Sequence, residues 1–163
     1  MDVRLLTAVK NGIGSLFIAM LIILVFVYIR YWIVGRIEER KWAAWKCPFP
    51  ADDGYTEYDI DDLAAEYRRQ MKRNALLAAE KYEGGKVTLK GLVQRVYPDG
   101  NIVVRAAYEG ADSLVSCHTP NGSRVLDTIR QLVCGKSVVY IRGRILSGNE
   151  LTVEVDDIAV YGD

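Results

Sequence analysis

A run of seventeen uncharged, mostly apolar residues, Ile13 to Ile29, constrains this chain more than any other feature of its sequence. A single charge, Arg30, interrupts the apolar character before it resumes and ends at Val34. Because a helix rises about 1.5 Å per residue, the stretch 13–34 is long enough to cross the bilayer hydrocarbon, which is about 30 Å thick. The sequence therefore predicts one transmembrane helix over residues 13–34, after an N-terminal tail over residues 1–12.

Two other interpretations of this stretch fit the residues less well. A cleaved signal needs small residues at its cleavage site, but the residues after the apolar run read RYWIVGR. A buried core helix would need a larger protein around it than the remaining chain supplies. A membrane anchor in contact with the lipid bilayer is favoured, with four aromatic side chains as candidates for the membrane interface: Tyr31, Trp32, Trp42 and Trp45.

The basic residues near the apolar run predict its orientation. Two precede it, Arg4 and Lys10, and a larger group follows it: Arg30, Arg36, Arg40, Lys41 and Lys46. Since the more basic flank usually stays inside the cell, we expect a single-pass protein of a bacterial inner membrane with its large domain in the cytoplasm. The difference is small and Lys10 lies close to the membrane, so a periplasmic or extracellular domain remains the alternative.

The three cysteines, Cys47, Cys117 and Cys134, agree with a reducing compartment. Their number is odd, which is not typical of a disulfide framework, and no Cys-x-x-Cys or His-Cys spacing indicates a metal site. We expect no metal and no cofactor. The sequence assigns no role to any of the three thiols.

The chain after the anchor divides into a stalk with a linker, residues 35–54, and a domain, residues 55–163. The stalk, GRIEERKWAAWK, favours a helix that Pro48 and Pro50 end. The domain begins with an amphipathic helix, because apolar residues from Ile60 to Tyr82 recur with a period near 3.6 behind a capping Asp59. The pair Gly84 and Gly85 ends this helix.

Beyond the glycine pair the hydrophobic period changes to two, which predicts strands. Turn residues separate five of them, at 86–97, 102–108, 113–118, 137–146 and 151–161, with a short helix at 125–132 between the third and the fourth. This order is that of a five-stranded OB-fold barrel, with the preceding amphipathic helix added. Glycine inside the first strand, Gly91, and inside the fourth, Gly143, indicates a bulge or a bend that helps a small barrel to close.

Three segments of the domain resemble the tRNA-anti-like family of bacterial OB-fold domains: NALLAAEKYEGGKVTLKGLVQRV, SLVSCH and LVCGKSVVYIRGRILSGNELTVEVDDI. The resemblance covers about Tyr58 to Tyr161. The matched positions are mainly glycines and apolar residues, so the resemblance implies a fold more than a function. The family's name implies nucleic-acid binding by analogy with anticodon-binding OB domains.

One set of strand residues forms a candidate ligand-binding face: Arg95, Tyr97, Arg105, Tyr108, His118, Tyr140 and Arg142. Arginine and tyrosine on an OB fold are typical of single-strand nucleic-acid binding, which needs a positive groove and exposed rings. From Ala51 onward, however, the domain has 14 Lys plus Arg and 18 Asp plus Glu, a net charge of −4, which argues against nucleic acid. Alternating Arg, Tyr and Val is also the ordinary pattern of a half-exposed strand.

Residues for catalysis are not evident in the sequence. His118, the single histidine, has no nucleophile near it in a recognisable pattern, and there is no phosphate-binding glycine loop. We therefore expect a non-enzymatic, membrane-anchored OB-fold module that binds other membrane proteins or a second copy of itself within a membrane assembly. The alternative is a membrane-tethered protein that binds single-stranded nucleic acid.

Overall fold

The structure, a computed structural model, describes residues 3–51, 53–106, 112–120, 124–146 and 148–162 of the chain. The chain forms two compact units, Met1–Lys41 and Trp42–Asp163. The first unit contains most of a long helix, α1, Val3–Ala44. The last three residues of this helix, from Trp42 to Ala44, belong to the second unit. Within the described residues α1 is the one helix long and apolar enough to cross a membrane, and none of the residues in the apolar window within Ile18–Ala44 is buried. An N-terminal apolar helix followed by a mainly-β domain is therefore confirmed.

The second unit contains three helices and six strands in its described residues. In chain order these are β1, Thr56–Tyr58; α2, Ile60–Arg73; α3, Ala75–Tyr82; β2, Lys86–Val96; β3, Ile102–Ala106; β4, Leu114–His118; α4, Val125–Ile129; β5, Val138–Leu146; and β6, Thr152–Val160. Strands β2 to β6 correspond to the five predicted strands, and α4 lies where the sequence predicts the helix between the third and fourth strands.

The five predicted strands pair in a complete circuit. Strand β2 pairs antiparallel with β3 on one side and with β5 on the other, β3 pairs with β4, β4 pairs parallel with β6, and β6 pairs with β5. This strand order, with a helix between β4 and β5, is the OB-fold arrangement. The short β1 is an addition that the sequence did not predict, and it pairs parallel with β2 at residues 87–89.

The core lies inside this circuit. Alternate residues of each strand are buried there, among them Leu89, Val104, Val115 and Ile141, while the residues between them face outward. Helix α2 packs against β2, β3 and β4, and buries an apolar row: Ile60, Leu63, Ala64 and Tyr67. The Tyr67 hydroxyl, which would otherwise be an unpaired polar group, donates to the Gly148 carbonyl at 2.7 Å.

The two strand glycines are explained by close packing. A Cβ at Gly91 would lie 2.9 Å from the carbonyl oxygen of Arg105 and 2.9 Å from Cδ1 of Ile60, so glycine lets α2 approach β2. A Cβ at Gly143 would overlap the carbonyl oxygen of Glu154 on the neighbouring strand. The pairing of β5 with β6 shifts register between Arg142 and Gly143, which places the second glycine at a bulge.

The long amphipathic helix of the sequence analysis is divided in two at Asn74. This residue has an extended backbone, with φ −163° and ψ 104°, and its side chain accepts hydrogen bonds from the backbone N–H groups of Leu76 and Leu77. Asparagine competes with the helix in this way because its short side chain satisfies the first N–H groups of a new helix. The apolar period continues across the break, which is why the pattern alone predicts one helix.

Candidate functional site

The candidate ligand-binding residues of the sequence analysis lie on two different faces of the strand circuit. Arg95, Tyr97, Arg105 and His118 lie on β2, β3 and β4 or in the turn after β2, whereas Tyr140 and Arg142 lie on β5. Tyr108 lies outside the described residues. The surroundings of the two faces differ.

The first face, called the open face here, consists of outward side chains of three strands with the residue that follows β2: Arg95, Tyr97, Val103, Arg105, Leu114, Ser116 and His118. Backbone register places Arg95 opposite Val103 and Val103 opposite Ser116, so that these three form one row across the strands. Arg105 and Leu114 form the neighbouring row. Leu114 is 58 % exposed and Tyr97 41 % exposed, which leaves apolar surface in contact with water.

Below this row the open face deepens into a cleft of about 570 Å³. Tyr97, Val103, Ser116 and His118 line it, together with Leu146 and Thr152 from the two last strands. The β2–β3 turn at its rim is well held, because the Asp99 carboxylate accepts from the backbone N–H of Asn101 at 3.1 Å and from its side-chain amide at 2.8 Å. The face of the second and third OB strands, with the loop between the first two, is where OB folds bind their ligands.

The two arginines of the open face are available for a ligand. Neither Arg95 nor Arg105 has an ion pair or a side-chain hydrogen bond with any residue that the structure describes. The nearby carboxylate of Asp99 is already engaged by its own turn. An anionic group that reaches this face therefore meets two guanidinium groups without a competing partner.

The second face, on β2 and β5, is covered by the chain itself. Thr88, Tyr140 and Arg142 alternate with core residues and thus point away from the core, yet all three are buried. The covering segment, residues 45–51 and 53–58, is called the strap here. It lies over β5 and then continues into β1 beside β2, within the second unit.

An aromatic cluster begins the strap. The Trp45 ring meets the ring of Tyr140 edge-on at 4.8 Å between centroids and the ring of Tyr161 at 5.4 Å. The Trp45 carbonyl oxygen accepts from Lys90 Nζ at 2.8 Å and from the Tyr140 hydroxyl at 3.1 Å. Trp45, one of the four residues that the sequence proposes for the membrane interface, is thus half-buried on the domain, as the neighbouring Trp42 is half-buried too.

A buried arginine is held in the middle of the strap. Arg142 is 7 % exposed, pairs with the Asp53 carboxylate and donates to the Pro50 carbonyl oxygen. Its guanidinium carbon lies 4.4 Å from the ring centroid of Phe49 and 4.9 Å from that of Tyr55. Two aromatic faces, a carboxylate and a carbonyl thus surround one cation, and only Nε is left buried without a hydrogen-bond partner.

The strap changes the titration of the side chains it covers. Burial raises the pKa of Tyr140, and the adjacent Glu57 carboxylate raises it further. Burial lowers the pKa of Lys90, because the ammonium loses water that the carbonyl and ring contacts only partly replace. A cleft of about 560 Å³ remains between strap and strands, lined in part by Cys47, Tyr55 and Thr88.

Sequence reasoning named Tyr140 and Arg142 but neither their neighbour Lys90 on β2 nor the strap residues that cover this face. Those strap residues include Phe49, Asp53, Tyr55 and Glu57. A signal was present, since the segment WKCPFPADDGYTEY is rich in aromatic residues and a solvated linker is usually poor in them. Proline and aspartate in the same segment indicated a linker instead.

Metal binding and catalysis have no evident site in the part of the chain that the structure describes. No group of three or more His, Cys, Asp or Glu side chains there is placed to hold a metal ion. Cys117 is buried in the core, which raises the pKa of its thiol to about 12 and makes it a poor nucleophile. His118 is exposed on the open face.

Comparison with known proteins finds similarity in structure only. No family model and no curated protein matches the sequence, so the resemblance to the tRNA-anti-like family stays a prediction. One similar structure is a lipoprotein of Klebsiella pneumoniae that is predicted to bind nucleic acid, with 19 % identity and a TM-score of 0.46, covering 69 % of this chain and 98 % of the other.

Two further similar structures come from yeasts. The Stn1–Ten1 complex of S. pombe has 19 % identity and a TM-score of 0.39, covering 69 % of this chain and 81 % of the other. The mitochondrial single-stranded DNA-binding protein Rim1 of S. cerevisiae has 12 % identity and a TM-score of 0.40, covering 48 % of this chain and 94 % of the other. These identities and TM-scores are low, and the similarity indicates no ligand for this chain.

Proposed function

We propose that this chain is a single-pass membrane protein whose OB-fold barrel binds a partner protein at the open face, as a non-catalytic component of a membrane assembly. The apolar part of α1 supplies the anchor by its length and composition. The division into tail, span, stalk and domain, and a cytoplasmic location of the domain, are parts of this proposal that follow from the sequence.

The observation that carries the proposal is the composition of the open face. Exposed Leu114 and half-buried Val103 provide apolar surface beside the cleft. Arg95 and Arg105 provide two cations that form no ion pair with the described part of the chain. Apolar contact combined with arginine is typical of protein interfaces, where arginine and aromatic residues are enriched. The exposed ring of Tyr97 lies at one end of the same surface.

Nucleic acid fits this face less well than a protein does. The domain from Ala51 onward has a net charge of −4, which repels a polyanion at long range. Two of the cationic and aromatic residues that the sequence proposes, Tyr140 and Arg142, are covered by the strap. Tyr97 and His118 are then the rings that the described part of the open face offers for stacking.

Site-specific photo-crosslinking of the full chain in its own membrane tests whether a partner protein binds at the open face. A photoreactive p-benzoylphenylalanine replaces Leu114, and the control carries it at Val133, which is exposed but lies outside the open face. We expect a partner protein of defined mass linked at position 114, absent at position 133, and lost when Arg95→Ala and Arg105→Ala are added. Identical adducts at both positions, or none at 114 in the folded chain, would contradict the proposal.

Single-stranded nucleic acid on the same face is the second candidate, favoured by Arg95 and Arg105, which form no ion pair with any residue in the described ranges. Fluorescence anisotropy of a labelled oligonucleotide with the full chain in nanodiscs tests it. Loss of binding in the Arg95→Ala and Arg105→Ala variant, with a wild-type salt slope of about −1.4 for two phosphate contacts, would support this candidate. Lys72→Ala with Arg73→Ala, an equal change of charge on α2, should leave such binding intact.

A further inference from the structure

Strands β2 and β5 carry a row of cations on their outward side. Backbone register places Lys86 opposite Arg144, Thr88 opposite Arg142, and Lys90 opposite Tyr140. Four basic side chains and one aromatic ring are thereby gathered on two adjacent strands of a domain that is acidic as a whole. This surface is the second face described above, and it is called the strapped face here. It shares none of these residues with the open face.

The strap meets three of these cations with a small set of chemical groups. Lys90 Nζ donates to the carbonyl oxygen of Trp45 in the strap and to that of Trp42 near the end of α1, and it lies 5.9 Å from the centroid of the Trp45 ring. Lys86 lies 5.1 Å from the centroid of the Tyr55 ring, and Tyr55 also stacks on Arg142. Every cation in this group is thus held by an oxygen, by an aromatic face, or by both.

Oxygen anions and flat aromatic faces are also what a single-stranded nucleic acid offers to a protein. Its phosphates pair with Lys and Arg, and its bases stack on aromatic rings or on guanidinium planes. On the strapped face the Asp53 carboxylate occupies the place of a phosphate beside Arg142. The rings of Phe49 and Tyr55 occupy the places of two bases.

We propose that the strapped face is a binding site for single-stranded nucleic acid, and that the strap occupies this site in the resting protein. The inference goes beyond the proposed function, which uses the open face. The Asp53 side chain is 34 % exposed, so a phosphate can approach this ion pair from the solvent and compete with Asp53 for Arg142. The buried Arg142 Nε, without a partner under the strap, is a donor that a phosphate oxygen can satisfy.

The Asp156 carboxylate on β6 limits the number of cations that can bind phosphates at this site. Arg144 donates to the Asp156 carboxylate on β6 at 3.0 Å, and Asp156 also accepts from the Tyr55 hydroxyl at 2.8 Å. Lys86, Lys90 and Arg142 are left for three phosphates, which corresponds to a salt slope of about −2 for a single strand. A second consequence is that release of the strap frees the Tyr140 ring for a base.

The test opens the strap in the full chain, held in nanodiscs of uncharged lipid. Asp53→Asn with Glu57→Gln removes the two carboxylates that face Arg142 and Tyr140. The matched control is Glu80→Gln with Glu83→Gln, which makes the same change of charge at two exposed residues near the end of α3. Binding of a labelled oligonucleotide of about 12 nucleotides is followed by anisotropy at about 50 and 200 mM salt.

We expect the opened variant to bind at least about tenfold more tightly than the wild type, because more of the population has the site uncovered. The control should bind as the wild type does. Adding Lys90→Gln and Arg142→Gln to the opened variant should abolish the gain, while Arg95→Ala with Arg105→Ala should not. Because Arg95 and Arg105 belong to the open face, the variant that lacks them distinguishes binding at the strapped face from binding at the open face. Either proposal can therefore fail without the other.

A second way of opening the site guards against a strap that stays closed after loss of two charges. Residues 45–57 are replaced by a Gly/Ser linker of equal length, which keeps the anchor attached, and near-ultraviolet circular dichroism checks that the domain is folded. Binding by this variant supports the proposal. The proposal is overturned when neither opened form binds more tightly than the control, or when the gain persists without Lys90 and Arg142.

Discussion

Arg142 on β5 forms an ion pair with Asp53 of the strap while the rings of Phe49 and Tyr55 lie over its guanidinium. This pair ties a segment far from β5 in the sequence to the outward side of the strands. Because the arginine is almost fully buried, that carboxylate and the Pro50 carbonyl oxygen replace the water that its guanidinium has lost. The strap is therefore part of the folded domain.

Replacing Arg142 should destabilise the domain. Arg142→Met leaves the Asp53 carboxylate without a partner and removes the Pro50 contact, for an expected loss of about 1–3 kcal/mol, less than for a fully buried pair because Asp53 reaches water. Arg142→Lys should lie between this variant and the wild type, since an ammonium keeps the charge but not the planar stacking. Urea unfolding of the full chain in detergent, followed by tyrosine and tryptophan signals, measures both.

Arg144→Met is the matched control for that experiment. Arg144 pairs with Asp156 from a side chain that is 51 % exposed, so its loss should cost clearly less stability than the loss of Arg142. Equal stabilities of the Arg142 and Arg144 variants would contradict the buried role of the strap pair.

Gly143→Ala should be strongly destabilising. The new Cβ would overlap the Glu154 carbonyl oxygen and a methyl group of Val153, and the paired strands β5 and β6 have to separate to admit it. We expect a loss of about 3 kcal/mol or more in the free energy of unfolding. Gly148→Ala, whose Cβ would meet only the Glu150 carbonyl oxygen at 3.6 Å, should be nearly neutral; thermal melting of the two variants tests the difference.

The junction of α2 and α3 should lose stability in acid through Glu66. The side-chain amide of Gln70, with the cations of Arg69 and Lys81, lowers the pKa of this carboxyl to about 2 from its usual 4.5. A lowered pKa stabilises the fold at pH above about 4.5, and this contribution disappears as the pH falls toward 2.

Glu66→Gln should therefore reduce stability near neutral pH and make no difference near pH 2. Urea midpoints of wild type and variant across that range give the comparison. Glu80→Gln, at an exposed carboxylate on α3, serves as the control and should shift the midpoint little at any pH. A Glu66→Gln effect that is the same at every pH would be inconsistent with the prediction.

Thiol labelling should report both burial and membrane orientation. Cys134 is exposed and Cys117 is buried with a raised pKa, so a maleimide should label Cys134 in the folded protein and Cys117 only after unfolding. For a cytoplasmic domain, a membrane-impermeant maleimide should label Cys134 only after the cells are permeabilised. Labelling of Cys134 in intact cells would instead place the domain outside; a Cys134→Ser variant identifies the signal.

Much of the domain could be predicted from the sequence because local rules determine it. Alternation of apolar residues, turn residues such as Asp99 and Gly100, and the apolar stretch before Arg30 each act within a few residues. The long helix was predicted without its break, since the apolar period is the same on both sides of Asn74. On the open face, Arg95, Arg105 and His118 were found because outward residues alternate with core residues in a strand.

Residue patterns within the chain are sufficient to predict its elements: an apolar helix long enough for a bilayer, an amphipathic helical region, and five strands in the order of an OB fold. Contacts between distant segments, which no such pattern records, set which of the outward residues are available to a ligand. Asp53 and Pro50 of the strap lie 89 and 92 residues before Arg142 in the chain, and the contacts of the strap with Arg142 depend on stacking and ion pairing across that distance. No local period records such pairing, because each partner alone reads as an ordinary linker or an ordinary strand.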